Sequence, residues 1–549
     1  MAGDDTETVR RYHERTKHHP RRYARSPGHL DWATQPDPFR QYQGATEFSL
    51  DRPVPDDGPA WDDLIAGAVP PRATDHAAIG ELFYYSLALS AWKAAGSSRW
   101  SLRVNPSSGD LHPTEAYLIA GPLPGLNPYP AVYHYSPFRH ALELRIALSG
   151  DEWTSLAKGL PAGGMLLALA SIPWRESWKY GERAFRYCHH DVGHAICAVG
   201  YSARLLGWTA RLVTAMPDGD LDELLGLHRQ REKSDVEAEH PDCLLALAPT
   251  REPWSARGTL TEILRQRLRT ADFQGRPNRL SQHQQPWPVI AEAVEASRYG
   301  GSDGEAAPVP AAPAGATRPT PPARLLIRRR RSAVAMDGHT TMTRESFYRI
   351  LVRLSPALGS FPHEVLPWPP RVSLAFFVHR VDDLPQGLYL LVRHPDHYAS
   401  LRSSLDRSFV WEKPEGLPGG LEFFQLAEAD MREAAQFISC HQEIAGAGAF
   451  ALGMLARFDT ALSGAAWNYP RLFWECGLLG QILYLEAEAA GVRGTGIGCF
   501  FDDTMHELLG ITDTAWQSLY HFAVGGALDD PRLKTLESYF HLEPRSGAS

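Results

Sequence analysis

Asp191-Val192-Gly193-His194, followed by Gly207, Asp218 and Glu223-Leu224-Leu225-Gly226, returns later in the chain as Glu475-Cys476-Gly477, Gly491, Asp502 and Glu507-Leu508-Leu509-Gly510. A constant shift of 284 positions superposes the two windows without a gap. One glycine could match by chance; several matches at one offset mark an internal duplication. In each copy, apolar residues at helical spacing run into a glycine. They are Ile196, Val199, Ala203 and Leu206 before Gly207, then Ile482, Leu485 and Ala489 before Gly491. A strand is predicted next, Arg211-Leu212-Val213-Thr214 in the first copy and Gly496-Ile497-Gly498-Cys499-Phe500 in the second, and then a short helix. The apolar runs Ala116-Tyr117-Leu118-Ile119 and Ser373-Leu374-Ala375-Phe376-Phe377-Val378 read as buried strands. The expectation is an α+β domain with a central sheet between helices, present twice.

The length agrees. At 549 residues the chain exceeds what one hydrophobic core organises. Its 44% hydrophobic and 22% charged residues are those of a globular protein. A formal net charge of -9 supplies no global basic field for nucleic acid. The sequence has no long uninterrupted apolar run of membrane-spanning length. Met1-Ala2-Gly3-Asp4-Asp5 is acidic rather than an apolar signal core. Six scattered cysteines do not make a disulfide framework, so a cytoplasmic location is expected.

Residues 1–60 read as a polar, basic and aromatic arm. Gln35-Pro36-Asp37-Pro38 and Arg52-Pro53-Val54-Pro55 argue against long regular elements there. The arm is expected to wrap onto the first domain through Tyr12, Tyr23, Trp32 and Phe39. Residues 300–323, rich in Gly, Ala and Pro, cannot bury enough surface to fold and read as a linker. The domains are therefore placed at 61–299 and 324–545.

Several strings carry possible chemistry. Pro106-Ser107-Ser108-Gly109 offers hydroxyls and backbone N–H groups close together, with Gly109 allowing close approach of a ligand. It continues into Pro113-Thr114-Glu115-Ala116-Tyr117, with Arg103 just ahead. Lys179-Tyr180 pairs an amine with a phenol, a combination suited to proton transfer. Arg328-Arg329-Arg330-Arg331-Ser332 is either an anion-binding string or a solvated basic patch. Gly494-Thr495-Gly496-Ile497-Gly498 is a glycine-permissive turn or a backbone cradle. Asp530-Pro531-Arg532-Leu533-Lys534 places two cations near the C-terminus.

Together these strings resemble the nitroreductase-like flavoenzymes, and within them the SagB-type dehydrogenases that form thiazoles and oxazoles. The resemblance covers most of 75–250 and 325–540. It implies two tandem domains with antiparallel-type sheets, paired as an internal pseudo-dimer, with FMN between them. In that family one subunit supplies the Arg-Arg-Ser string and the late glycine and basic elements; the other supplies the Pro-Ser-Ser turn. Here the cofactor-binding set becomes Arg103, Pro106, Ser107, Ser108 and Gly109 from the first domain. The second gives Arg330, Arg331, Ser332, Gly494, Gly496, Gly498, Arg532 and Lys534. The family's Lys-Tyr pair falls on Lys179 and Tyr180 as catalytic residues. Val334 and Met336 stand where the family has basic and aromatic residues. The second domain has Trp467-Asn468-Tyr469 in place of the Lys-Tyr pair, and only Ser355–Ser360 in place of the turn. One FMN per chain follows. The implied activity is FMN-dependent oxidation of an azoline ring, or of a related bond in a peptide or small molecule. Reduction of nitro compounds or quinones is an alternative, as is a degenerate, non-catalytic binding module. No nucleic-acid or membrane partner is expected; further oligomerisation stays open.

Two other constellations compete. His190 and His194 have a spacing that can bind zinc, but no second ligand cluster follows, and they read as part of a helix start led by Asp191. Cys440 and Cys499 suggest a thiol pair, yet nothing in the sequence brings them together, and buried structural cysteines are expected.

Overall fold

The computed structural model describes residues 2–54, 58–232, 235–301, 320–358 and 361–543. Two antiparallel sheets form the body. The first runs Glu47–Ser49, Ala141–Ala147, Ala131–Ser136, Thr114–Ala120, Met165–Ser171, His240–Ala248, Thr209–Val213. The second runs Phe423–Glu428, Gly387–Leu391, Val372–Val378, Phe450–Arg457, Trp516–Gly525, Arg493–Ile497. Apart from the added edge strand Glu47–Ser49, chain order maps onto spatial order identically in the two sheets. The α+β reading with two tandem domains therefore holds.

Two 22-residue helices, Ala184–Leu205 and Asn468–Ala489, pack on each other between the sheets. Nearly every side chain on both is buried, which is why neither shows a clean one-sided apolar stripe. Their crossing is set by the two matched glycines. A Cβ on Gly193 would lie 2.3 Å from the Trp474 carbonyl oxygen, and one on Gly477 would lie 2.2 Å from that of His190. The two matched windows thus meet at the centre of the molecule. Both helices start earlier than expected, because the turn at Gly181–Arg183 leads directly into Ala184. Asp191 and Glu475 consequently lie in the second turn, away from the N-terminal dipole. The second-copy strand also ends early, at Ile497, leaving Gly498 to Phe500 in a loop.

The chain ends cross between domains. Strand Lys534–Leu536 pairs with Leu89–Ala95, which pairs with Ser98–Arg103. The N-terminal arm opens with a helix, Ala2–Arg15, packed against helix Pro288–Ala296. These two helices hold equivalent places. Thr16 Oγ1 caps the Tyr12 carbonyl, and Ser297 Oγ caps that of Ala293. His18 N–H donates to Asp502, and Tyr299 N–H donates to Asp218 (both 2.9 Å). Tyr12 and Phe39 are buried as expected, whereas Tyr23 and Trp32 are half or more exposed. Of the predicted linker, 302–319 lies outside the described residues; 320–323 packs on Pro59–Trp61.

Candidate functional site

A cleft of about 720 Å³ lies between the domains. Its first wall is the turn Pro106–Asp110. Gly109 is left-handed (φ +62°), and a Cβ there would meet Tyr180 Oη at 2.6 Å and Lys179 Nζ at 2.9 Å. The turn is pinned from both sides. Ser108 N–H donates to both Asp191 carboxylate oxygens (3.2 Å each), while Ser108 Oγ donates to Oδ1 at 3.3 Å. Ser107 Oγ accepts from His112 N–H. Beneath the turn, Glu115 forms a buried ion pair with Arg175 and bonds His134, and Arg175 also donates to the His112 carbonyl. The serine hydroxyls are thus engaged within the protein.

The second wall comes from the other domain. Arg330 is 4% exposed; it donates to the Val104 and Arg103 carbonyls and lies over the Tyr484 ring, while its Nη1 has no hydrogen-bond partner. Arg331 donates only to the carbonyls of Ser90, Arg328 and Arg330. Among the described residues neither guanidinium has a carboxylate at ion-pair distance. Burial, then Arg330 and Arg328, bring Arg331 down to about 9. Lys93 is lowered by burial and by Arg331. Arg493 stands nearby, paired with Asp529. Burial and mutual repulsion disfavour the charged forms of these cations, and a bound phosphate would offset that cost.

Of the residues expected from sequence, Arg103, Pro106, Ser107, Ser108, Gly109 and Tyr180 line the cleft from the first domain. Arg330, Arg331, Ser332, Gly496 and Gly498 line it from the second. Lys179 reaches it through Nζ at Gly109. Arg103 donates to the Thr114 and Pro38 carbonyls, so it also braces the turn. Gly494 sits one layer back, its carbonyl accepting from Ala333 N–H. Gly496 N–H donates to Tyr484 Oη, which also contacts Ser332 Oγ at 2.8 Å. Arg532 is exposed and paired with Asp530, outside the lining. Lys534 is exposed, opposite Ala94. Lys93, on that same strand pair, brings the basic group instead. Nothing local in the sequence singles it out, because it reaches the site only through the crossed C-terminal strand.

The far end of the cleft is acidic. Helix Pro173–Tyr180 places Glu176 one turn before Lys179 and Tyr180, a spacing that marks it in retrospect. Glu176 is fully buried, and neither carboxyl oxygen has a hydrogen-bond partner. Burial, then Asp191, push it well above the usual carboxylate range. Asp191 rises to about 7 and Asp110 to about 6, both mainly through burial. Tyr180 is raised by burial and then by Glu176, so its phenol keeps its proton. His190 and His194 are engaged separately, with the Leu519 carbonyl and Tyr520 Oη, and burial holds both neutral.

The corresponding region of the opposite face is reduced to a cavity of about 60 Å³, lined by Leu212, Val213, Tyr299, Trp467 and Arg471. Leu212 and Thr214 match Gly496 and Gly498, and Arg471 is packed over Tyr299, Trp467 and Trp368. Glu475 accepts from Arg371 N–H, as Asp191 accepts from Ser108 N–H. The loop matching the Pro-Ser-Ser turn is therefore at Arg371 rather than at Ser355–Ser360, of which 359 and 360 lie outside the described residues.

No family model matches the chain. A protein of Methanocaldococcus jannaschii named "Putative nitroreductase" is 30% identical over 130 residues, which are 22% of this chain. The chain spans 62% of the length of that relative. A solved structure named "putative nitroreductase" from Anabaena variabilis superposes with a TM-score of 0.67 at 20% identity, covering 95% of this chain and 99% of its own. One from Ralstonia eutropha covers 41% of this chain and 97% of its own at 14% identity, with a TM-score of 0.27. Sheet order, crossed ends and near-complete superposition on the Anabaena structure agree: the chain has the nitroreductase-like fold, in two tandem domains.

Proposed function

We propose that this protein is an FMN-dependent oxidoreductase with one flavin per chain, held in the interdomain cleft, and that its two domains are a duplicated pair acting as an internal pseudo-dimer. The observation that carries the reading is the polarity of that cleft. Arg330, Arg331 and Lys93, without a carboxylate at ion-pair distance among the described residues, gather on one wall, as a phosphate requires; Tyr180, Asp110 and Asp191 line the other, with Lys179 Nζ at Gly109 and buried Glu176 behind them. Bound there, FMN supplies two-electron chemistry at its ring. Arg331, Lys93 and Arg493 would hold the phosphate, and Arg330 Nη1 would be free to donate to the cofactor. A proton lost by the substrate would be handled at Lys179 Nζ and Tyr180 Oη and taken up by Asp191 or Asp110, which burial raises to about 7 and about 6.

The SagB-type reaction, oxidation of an azoline in a peptide or small molecule, is the finer form of this reading. Lys179 and Tyr180 facing Gly109 favour it over reduction of nitro compounds or quinones. The small cavity on the opposite face, about 60 Å³ against about 720 Å³ for the cleft, with no lysine at Trp467–Tyr469, argues for one flavin rather than two. A cytoplasmic location goes with this reading. The test is the absorption spectrum of the purified protein, with the released chromophore identified by mass. One FMN per chain supports the shared site. Two per chain would overturn the single-site reading, and none after reconstitution would leave the binding-module alternative.

A further inference from the structure

Cys440 and Cys499 are brought together by the fold. Cys440 follows helix Arg432–Ile438, and Cys499 follows strand Arg493–Ile497. Phe501 N–H donates to the Ile438 carbonyl at 2.7 Å. The Gln442 amide donates to the Ser439 and Cys499 carbonyls at 2.8 and 3.0 Å, clamping one segment on the other. Cys440 and His441 both adopt left-handed backbone (φ +53° and +62°), which non-glycine residues hold only where the surroundings impose it. The two thiols are near enough to shift each other in opposite directions, Cys440 up and Cys499 down. Both cysteines are partly exposed, Cys499 on the cleft wall, whereas Cys188, Cys197, Cys243 and Cys476 are buried.

The surroundings of Cys499 favour a thiolate. Ala24 N–H donates to His18 Nδ1 at 2.9 Å, so a neutral His18 carries its proton on Nε2 and donates it to the Cys499 sulfur. The Arg183 guanidinium is fixed on the adjoining Gly498 carbonyl, and Asp502 holds its other side. Tyr187 bonds the same carbonyl, and Tyr23 bonds Cys440.

We propose that Cys499 and Cys440 form a thiol–disulfide exchange pair in the cleft wall, acting on small disulfides, with Cys499 attacking and Cys440 resolving. The Cys499 thiolate attacks one sulfur of the disulfide, forming a mixed disulfide and expelling a small thiolate. That thiolate takes the Cys440 proton. The Cys440 sulfur then attacks Cys499 and expels the second small thiol, so the protein loses two electrons and the disulfide gains them. Hydrogen bonding from Cys440, then from His18, brings Cys499 down to about 5, against burial, while the four buried thiols are pushed up. The exchange needs no flavin, so its failure and that of the flavin reading are separate results.

The reduced full-length protein is mixed with dithiodipyridine at about pH 6, where ordinary thiols are slow. The expected result is fast release of two pyridinethiones per chain, a product lighter by two hydrogens, and a peptide cross-link between 440 and 499. Cys440→Ser should stop after one release, with the adduct kept on Cys499. Cys499→Ser should slow the fast phase by at least about tenfold. An unchanged fast phase in Cys499→Ser, or two stable adducts without a cross-link, would overturn the proposal.

Discussion

At Asp191, burial and function pull against each other. The side chain is 2% exposed, and hydrogen bonds from Ser107 and Ser108 do not offset its burial, so it keeps its proton to about pH 7 against 3.8 for an ordinary aspartate. The folded protein therefore binds a proton that the unfolded chain has released. Stability from this group falls as pH rises from about 4 to about 7, and the cost is complete above that. Asparagine retains an acceptor for Ser108 N–H and cannot charge. Asp191→Asn should melt higher than wild type in mild alkali and match it in acid, in paired thermal melts; the reverse order would place the charge outside the buried cluster. In the oxidative direction the cluster must accept a proton, so turnover should rise as pH passes through about 7 and lose that step in the variant. Lys179→Ala should abolish turnover while leaving the flavin bound, and normal turnover would remove Lys179 from the reaction. Arg331→Ala deletes a charge-assisted contact and should weaken FMN binding by at least about tenfold, read by fluorescence titration.

Among the elements, the two long helices decide the architecture, and their crossing leaves no room for a side chain. Gly193→Ala puts a methyl group 2.3 Å from the Trp474 carbonyl, and backbone rather than a flexible side chain must give way. Overpacking of this kind costs about 1–3 kcal/mol, so the melting temperature should fall; an unchanged melt would show that the helices slide freely. Gly477→Ala should do the same, and the double variant should depart from additivity because both methyls meet at one contact. The match of Asp191-x-Gly193 with Glu475-x-Gly477 was legible in the sequence as a repeat, but that the two glycines meet was not, because nothing along the chain says which faces of the two helices touch. The strands Thr114–Ala120 and Val372–Val378 were legible too, since both faces of each are covered and their apolar runs are continuous. Helix Ala2–Arg15 was not, because its partner Pro288–Ala296 falls outside the gap-free window and its equivalence rests on two hydrogen bonds, to Asp502 and to Asp218. The acidic end of the site was equally hidden. Glu176 signals its place only by helical spacing from Lys179, and Asp191 reads as a helix start until the helix is seen to begin at Ala184.

Taken whole, the molecule buries on each domain what an independent domain would leave exposed. Helix Asn468–Ala489 covers Ala184–Leu205, the Lys534–Leu536 strand completes the sheet that carries Lys93, and the Ala2–Arg15 helix lies against Glu182, Arg186 and Asp502. Neither half closes its own core, and the cleft takes its phosphate end from one and its turn from the other. Fragments 1–301 and 320–549 produced together should therefore associate, recover the melting transition and bind flavin, whereas each produced alone should aggregate, with two 22-residue helices stripped of their mutual cover. Gel filtration of the co-produced fragments gives the answer. A single fragment that stays monomeric and melts cooperatively would mean that the domains fold first and dock later, and the Gly193–Gly477 crossing would then be an interface rather than the shared core.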